Sequence, residues 1–236
     1  MTAVDGRELD LTDQTLIDPA QFELTQFREG TAGASMSHLN ACRKILADGH
    51  AAALVLEDDV TVPANIAAVA DAVAEQLTGA EVALLSYDTY NPCQVSREGS
   101  VRVSTSQVLA LPIDVRQPRS AGGYIITREA CERMVKAFPP MKVNPDDWWY
   151  FYREGIIDRV RCVVPLQIRK TAKLESTLGS YRLGNGIRGR LAWALVQRKV
   201  PLLHQLLVYR RQRIYRQWGR AELVNTPFEE KPSRIG

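Results

Sequence analysis

The sequence of 236 residues lacks the patterns that mark membrane-spanning, secreted and zinc-binding proteins. No run of eighteen apolar residues occurs, so no transmembrane helix is predicted. The opening MTAVDGRELDLT has no basic start followed by an apolar stretch, so we expect no secretory signal peptide. The four cysteines lie far apart without a C-x-x-C pair, which argues against a zinc site or thioredoxin chemistry. Free thiols in a reducing cytoplasm are the expected state.

Acidic residues are absent from one part of the chain. Residues 181–220 contain ten Lys and Arg residues and no Asp or Glu, whereas residues 1–180 contain 18 basic and 24 acidic residues. Arg alternates there with Leu, Trp and Tyr, which predicts two amphipathic pieces broken at Pro201. Such a segment fits an anionic membrane surface, with Trp193 or Trp218 at the interface. A solvated helix and nucleic-acid binding are the alternatives, and the acidic body argues against nucleic acid.

Apolar periodicity predicts strands that alternate with helices. A helix is expected from a cap at Ser35 or Ser37 to a stop at Gly49, because apolar residues recur there at helical spacing. Buried strands are expected over 51–56 and 81–87. Further predicted elements are a helix at 64–77, strands at 104–111, 122–127 and 159–168, and helices at 128–138 and after Asn144. This alternation favours an α/β layered domain.

Three adjacent carboxylates, Glu57, Asp58 and Asp59, follow the first of these strands. They repel one another unless a positive charge lies among them. Sheets of α/β proteins bind ligands at strand tips, and one or two carboxylates there, together with substrate phosphates, suit Mg²⁺ or Mn²⁺. The alternative is an acidic turn that caps the next helix. The triplet by itself leaves both interpretations open.

Four sequence blocks occur in order from about Ala3 to Ser180. They are GASMSHLNACRKILADGHAAALVLEDDV, SAGGYIITREACERMVKAF, NPDDWWYF and ESTLGS. Together they resemble glycosyltransferase family 25, which includes bacterial lipooligosaccharide galactosyltransferases and collagen galactosyltransferases. The shared features include a Ser-His pair, here Ser37 and His38, about twenty residues before the acidic triplet, and an Asp that matches Asp147.

The chain departs from the family pattern at two places. Ala34 stands where the family usually has a cysteine four residues before the histidine. Family members begin with a strand and an Arg-rich turn that help to hold the nucleotide, and this chain begins with TAVDG, which resembles the end of that region. We therefore expect the family's N-terminal strand to be absent. A non-catalytic relative that binds glycan or a partner enzyme at the membrane is the alternative function.

The resemblance implies a GT-A-like nucleotide-sugar-binding fold, in which a mixed sheet lies between helices, over residues 1–180. Residues 181–236 would form a basic amphipathic extension. The implied enzyme inverts the anomeric centre and moves a sugar from a donor such as UDP-galactose to lipopolysaccharide or another surface glycan, using one general base and a divalent cation. We expect a cytoplasmic protein, peripheral on the inner face of the cytoplasmic membrane, with a glycolipid acceptor and no nucleic acid as partner.

The same resemblance assigns chemistry to four carboxylates. Asp59 is expected to hold Mn²⁺ or Mg²⁺. Glu57 lies on the same side if the strand alternation continues, and it would hold the metal or the ribose. Asp147 is the expected general base, and Asp146 would share the proton or cap the following helix.

Five further residues are expected to bind substrate. His38, with Ser37 before it, would touch the diphosphate or the acceptor, and a structural role is the alternative. Gly122 and Gly123 would let the backbone approach the sugar, unless they mark a strand bulge. Trp148 would stack on a sugar ring, although one of the two adjacent tryptophans is expected to lie in the core.

The basic segment generates the first testable prediction. The full chain should bind vesicles that contain anionic lipid, and the binding should fade with salt, because exposed charges are screened beyond about 8–10 Å. Cosedimentation with anionic and neutral vesicles at rising salt measures this. Equal binding to neutral vesicles, or binding to neither kind, would contradict a membrane role, and tighter binding to DNA would favour the nucleic-acid alternative.

Overall fold

A computed structural model describes residues 2–18, 29–89, 92–171, 198, 205–206, 209–210, 213 and 219–228. The predicted basic extension lies largely outside these ranges, as does the ESTLGS block. Among the helices that are described, none has the length and apolar character needed to cross a membrane. All four cysteines are buried free thiols.

A six-stranded mixed sheet forms the centre of the molecule. In spatial order its strands are β1 (Ala52–Leu56), β7 (Gly123–Thr127), β3 (Glu81–Leu84), β8 (Arg159–Val164), β6 (Val108–Ala110) and β5 (Val101–Arg102). β3 and β8 run parallel, and the other neighbours run antiparallel. The predicted α/β class with a mixed sheet is confirmed.

Helices cover both faces of this sheet. They are α1 (Glu29–Ala47), α2 (Ile66–Ala74), α3 (Arg128–Ala137) and α4 (Trp148–Arg153), and a short 3₁₀ helix spans Gly6–Glu8. Because side chains alternate along a strand, Tyr124 and Ile126 of β7 join the core under α1, α3 and α4, whereas Ile125 joins the smaller core under α2. Thr127 ends β7 and caps α3 by accepting a hydrogen bond from Ala130 N.

Two pairs of short strands complete the fold. β2 (Val60–Thr61) pairs antiparallel with β9 (Arg169–Lys170). β4 (Cys93–Ser96) pairs parallel with β10 (Ala221–Val224). The first pair brings the segment after the acidic triplet beside Lys170, and the second ties residues 221–224 to the body of the protein.

The structure corrects the predicted start of the first helix. α1 is already helical at Glu29, so Ser35 and Ser37 lie inside the helix and do not cap it. Ser37 Oγ donates to Gly33 O, one turn earlier, at 2.7 Å and accepts from Val4 N at 2.8 Å. These two bonds attach the N-terminal segment to α1, and they occupy the Ser37 hydroxyl that was expected to bind substrate.

The first predicted strand is also different from the expectation. β1 pairs with β7 on one side and lies at the edge of the six-stranded sheet, so its residues are half-buried rather than buried. Its last residue, Leu56, is 41% exposed. Because the strand ends before the carboxylates, strand alternation does not decide the side to which Glu57 and Asp59 point.

Candidate active site

The acidic triplet contacts a lysine and a histidine within the protein itself. Lys170 Nζ lies 3.3 Å from Glu57 Oε2, and His38 Nε2 lies 3.7 Å from Glu57 Oε1. The Lys170 and Glu57 side chains are 16% and 27% exposed, so this ion pair is only partly screened by water. The charge that relieves the repulsion at this turn is therefore provided in part by Lys170.

Backbone pairing places Lys170 at the turn. In the β2–β9 ladder Val60 lies opposite Lys170, and Thr171 N donates to Asp59 O at 2.7 Å. On the other side, Glu57 N donates to Gly122 O at 3.1 Å. The turn is thus held between the segment around Gly122 and the segment around Lys170.

The Glu57 carboxyl group is strongly biased toward its ionised form. Burial alone would raise its pKa, but the His38 imidazole and the Lys170 charge outweigh burial and lower the pKa from 4.5 to about 2. A carboxyl group with this pKa is a poor proton acceptor near neutral pH. Glu57 is therefore suited to hold a fixed negative charge, and not to act as a general base.

Asp146 differs from Glu57 in its electrostatic environment. Burial raises the pKa of Asp146 and the charge of Glu57 raises it further, whereas Lys170 and Arg119 act to lower it. The group therefore lies within electrostatic range of the Glu57–Lys170 pair. A partly buried carboxyl with a raised pKa is the kind of group that accepts a proton in catalysis.

Asp147, the expected general base, has a structural contact. Its side chain caps α4 by accepting a hydrogen bond from Tyr150 N at 3.3 Å. Its neighbour Asp146, which was expected to share the proton or cap the helix, is the member of the pair that lies near Glu57 and Lys170. These electrostatic interactions make Asp146 a second candidate for the general base, and the assignment of that role to Asp147 stays a prediction.

His38 lies between Glu57 and a buried tyrosine. His38 Nδ1 and Tyr124 Oη are 2.8 Å apart, and the imidazole is only 7% exposed. The Tyr124 ring meets Trp148 edge-on, with ring centroids 5.0 Å apart. Trp148 in turn donates its indole N–H to Ser120 O at 3.0 Å. The histidine thus connects the acidic turn to the aromatic core.

Three of the predicted substrate-binding residues pack within the protein. Trp148 is 1% exposed, so its ring presents no face for a sugar to stack on. A side chain at Gly123 would meet Ile168 Cδ1 at 2.5 Å, so the room left by this glycine is taken by the core. At Gly122 a Cβ would lie 3.2 Å from Ser86 Oγ and 3.3 Å from both Lys170 Cε and Ser120 Oγ, so this glycine leaves room for three neighbouring side chains.

A metal ion would find a limited set of ligands here. Within the described parts of the chain, no group of three or more His, Cys, Asp and Glu side chains could hold one. Glu57 does not fit as a ligand, because it is already paired with Lys170. Asp59, whose Oδ1 is buried, fits as the single protein carboxylate of a cation that takes its other ligands from substrate phosphates.

A small pocket opens next to Lys170. Its lining comes from the segment after β3 and from the segment that leads into β9, namely Ser86, Tyr87, Asp88, Leu166, Ile168, Arg169 and Lys170. Lys170 and Arg169 contribute positive charge to this lining and Asp88 contributes an acidic group, and Lys170 connects the pocket to the acidic turn.

Sequence reasoning missed three residues of this site. Lys170 carries no motif, and its position depends on the pairing of β2 with β9. Tyr124 was given no role at the site by the sequence analysis. Ser120 has a φ of 112°, which is unusual for a residue other than glycine, and its Oγ accepts from Gly122 N. The adjacent pair of glycines was the one available signal for unusual backbone geometry there.

Comparison with known families agrees with this geometry. The sequence model of glycosyltransferase family 25, described as a lipopolysaccharide biosynthesis protein family, matches residues 3–149. The chain belongs to glycosyltransferase family 25. The matched range contains the acidic turn, His38 and Asp146, and it ends before Lys170. No curated protein matches the chain.

Membership of family 25 identifies the chain as a glycosyltransferase of lipopolysaccharide biosynthesis. The family implies, in general terms, a nucleotide-sugar donor and a glycan acceptor. Both ligands carry groups that the site can address, since the donor is an anion and the acceptor presents a hydroxyl group.

The ion pair generates the second prediction. Replacement of Lys170 by Met should raise the pKa of Glu57, because the largest positive charge near its carboxylate is lost. The loss of folding free energy should be about 1.5–3 kcal/mol at neutral pH, the range for a hydrogen bond to a charged group. Carbon NMR titration of the Glu side chains measures the pKa, and urea unfolding measures the free energy.

The direction in which this stabilisation changes with pH follows from the lowered pKa of Glu57. Its stabilising effect is present above the ordinary value of 4.5 and is lost as the pH falls toward 2. The difference in stability between the parent and Lys170→Met should therefore shrink as the pH falls through this window. Lys44→Met, which removes an exposed pair with Asp48, is the control. An unchanged Glu57 titration in Lys170→Met would contradict the assignment.

Proposed function

We propose that the chain is an inverting, metal-dependent glycosyltransferase that moves a sugar, most simply galactose, from a nucleotide-sugar to lipopolysaccharide or another surface glycan. The observation that carries the proposal is the grouping of Glu57, Asp146 and Lys170 beside the acidic turn of a family 25 chain. Sugar transfer needs a group that accepts a proton and a cation that attracts the leaving diphosphate. This grouping contains both.

The reaction can be written as one displacement. The acceptor hydroxyl oxygen forms a bond to the anomeric carbon while the bond from that carbon to the donor's diphosphate oxygen breaks. Asp146 accepts the hydroxyl proton, and the electron pair of the broken bond leaves with the diphosphate. Because attack and departure occur on opposite faces of the carbon, the anomeric configuration inverts.

Lys170 has two effects in this scheme. Its ammonium group keeps Glu57 ionised, and it contributes positive charge at the acidic turn, beside which the diphosphate would leave. Arg169 precedes Lys170 in β9 and is a second cationic residue of that strand. Negative charge that develops on the leaving group is stabilised by such preorganised positive groups.

A divalent cation, Mn²⁺ or Mg²⁺, would be held by Asp59 together with the phosphates of the donor. When bound, it would supply further positive charge for the diphosphate. Glu57, which was expected to be a second ligand, would instead orient the donor or hold Lys170 in place. The buried Oδ1 of Asp59 supports this division between the two residues.

The basic residues 181–220 support a location at the membrane. Their ten positive charges with no negative charge would attract the anionic inner face of the cytoplasmic membrane, where a lipid-linked glycan acceptor would be available. Each basic residue near such a surface contributes on the order of 1 kcal/mol. We therefore propose a cytoplasmic, peripheral membrane enzyme.

The third prediction separates the two candidate bases. Asp146→Asn should lower kcat by about 10² to 10⁴-fold, the usual range for a general base, and should leave the donor affinity nearly unchanged. Asp147→Asn is the matched control, because Asn caps a helix about as well as Asp and the variant removes only the charge. Transfer rates with a panel of nucleotide-sugars and calorimetric nucleotide affinities give the two quantities. If Asp147→Asn loses turnover and Asp146→Asn retains it, the base is Asp147.

The fourth prediction concerns the metal. Asp59→Asn should weaken nucleotide-sugar binding in the presence of Mn²⁺ and abolish transfer, because it removes the carboxylate that is proposed to hold the cation. Asp58→Asn, at the exposed neighbour in the same turn, should retain binding and transfer. Titration calorimetry with and without Mn²⁺ measures the effect. Full activity of the parent in excess chelator would rule out the metal assignment.

A further inference from the structure

The hydrogen-bonding state of His38 is constrained from both sides of its ring. Nε2 lies 3.7 Å from Glu57 Oε1, which is longer than an ordinary hydrogen bond but within electrostatic range. Nδ1 lies 2.8 Å from Tyr124 Oη. The two ring nitrogens therefore face two different chemical groups, one a carboxylate and the other a hydroxyl.

These two groups select one tautomer. An ionised carboxylate accepts hydrogen bonds only, so the nitrogen that faces Glu57 is favoured as the protonated one. In a neutral imidazole the other nitrogen is then an acceptor, and Tyr124 must donate its hydroxyl hydrogen to it. Burial raises the pKa of Tyr124 well above its ordinary value, so the phenol keeps this hydrogen.

The position of the Tyr124 hydroxyl is set by rigid surroundings. Tyr124 lies in β7 opposite Val55 of β1, and it is 1% exposed. Its ring is held by Trp148, whose indole N–H is itself bonded to Ser120 O. Within the described residues, His38 Nδ1 is the hydrogen-bond partner of the hydroxyl. Among the described residues, the Tyr124 hydroxyl therefore cannot donate to a different acceptor unless the tyrosine ring moves.

We propose that Tyr124 is a positioning residue that holds His38 in the tautomer with hydrogen on Nε2, so that an N–H group points at the Glu57 carboxylate. The catalytic consequence rests on the proposed function, because it requires Glu57 to be oriented at the donor site. The tautomer itself is a property of the folded chain and can be measured without any substrate.

Nitrogen NMR of the full chain labelled at histidine tests the tautomer directly. The chain has three histidines, so few signals need assignment, and His38→Gln identifies the His38 signals. At about pH 8, where an ordinary histidine is neutral, His38 in the parent should show a protonated Nε2 and an unprotonated Nδ1. In Tyr124→Phe, which keeps the ring, Nδ1 loses its donor and the two tautomers should become mixed.

The control is Tyr87→Phe, which removes another buried tyrosine hydroxyl, one that donates to Val163 O. It should leave the His38 signals unchanged. A parent His38 with hydrogen on Nδ1, whether neutral or doubly protonated, would overturn the proposal. An unchanged His38 tautomer in Tyr124→Phe would also overturn it, since the hydroxyl would then have no influence on the ring.

A double-mutant cycle tests the catalytic consequence. Tyr124→Phe should lower kcat/KM for transfer about tenfold or more, at the low end of the range for outer partners that orient ligating groups. In a His38→Gln background, which keeps an N–H donor near Glu57 without the contact to Tyr124, the same change should have little further effect. Additive losses would overturn the positioning role. If the tautomer is as expected and no donor supports transfer by the parent, the proposed function fails and the tautomer assignment stands.

Discussion

The ion pair between Lys170 and Glu57 is the interaction on which the rest of the site depends. It joins two segments that are more than a hundred residues apart in the chain, and it is supported by the ladder between β2 and β9. It supplies a cation where three adjacent carboxylates would otherwise repel one another. The lysine stem is also one of three side chains that a Cβ at Gly122 would crowd.

This ion pair also accounts for the different behaviour of two nearby carboxyl groups. Burial disfavours the charged form of both Glu57 and Asp146. His38 and Lys170 outweigh this effect at Glu57. At Asp146 burial outweighs the opposing effect of Lys170, and the negative charge of Glu57 adds to burial. The neighbouring groups thereby give the two carboxyl groups of one site different proton affinities. That separation is a common way in which one site obtains both a fixed charge and a proton acceptor.

Much of the fold follows from sequence periodicity, and much of the site does not. Five strands of the central sheet, β1, β3, β6, β7 and β8, and the helix α3 lie within the ranges that apolar spacing predicts, because this signal is local. Lys170 could not be predicted, since its position depends on pairing between distant segments. Trp148 could not be assigned either, because an aromatic ring suits a core and a sugar equally well, and only burial distinguishes them. An aspartate that caps a helix is a local signal, but Asp146 and Asp147 are adjacent, so the sequence does not show which of the two caps α4.

The strand β10 shows how the basic residues 181–220 are connected to the rest of the protein. They lie between β9, which contains Lys170, and β10, which pairs with β4 in the body of the protein. The chain is therefore attached to the body of the protein on both sides of this segment. Closing a chain in this way limits the distance that its middle can reach from its ends. A membrane surface that bound this segment would therefore be held within a limited distance of Lys170.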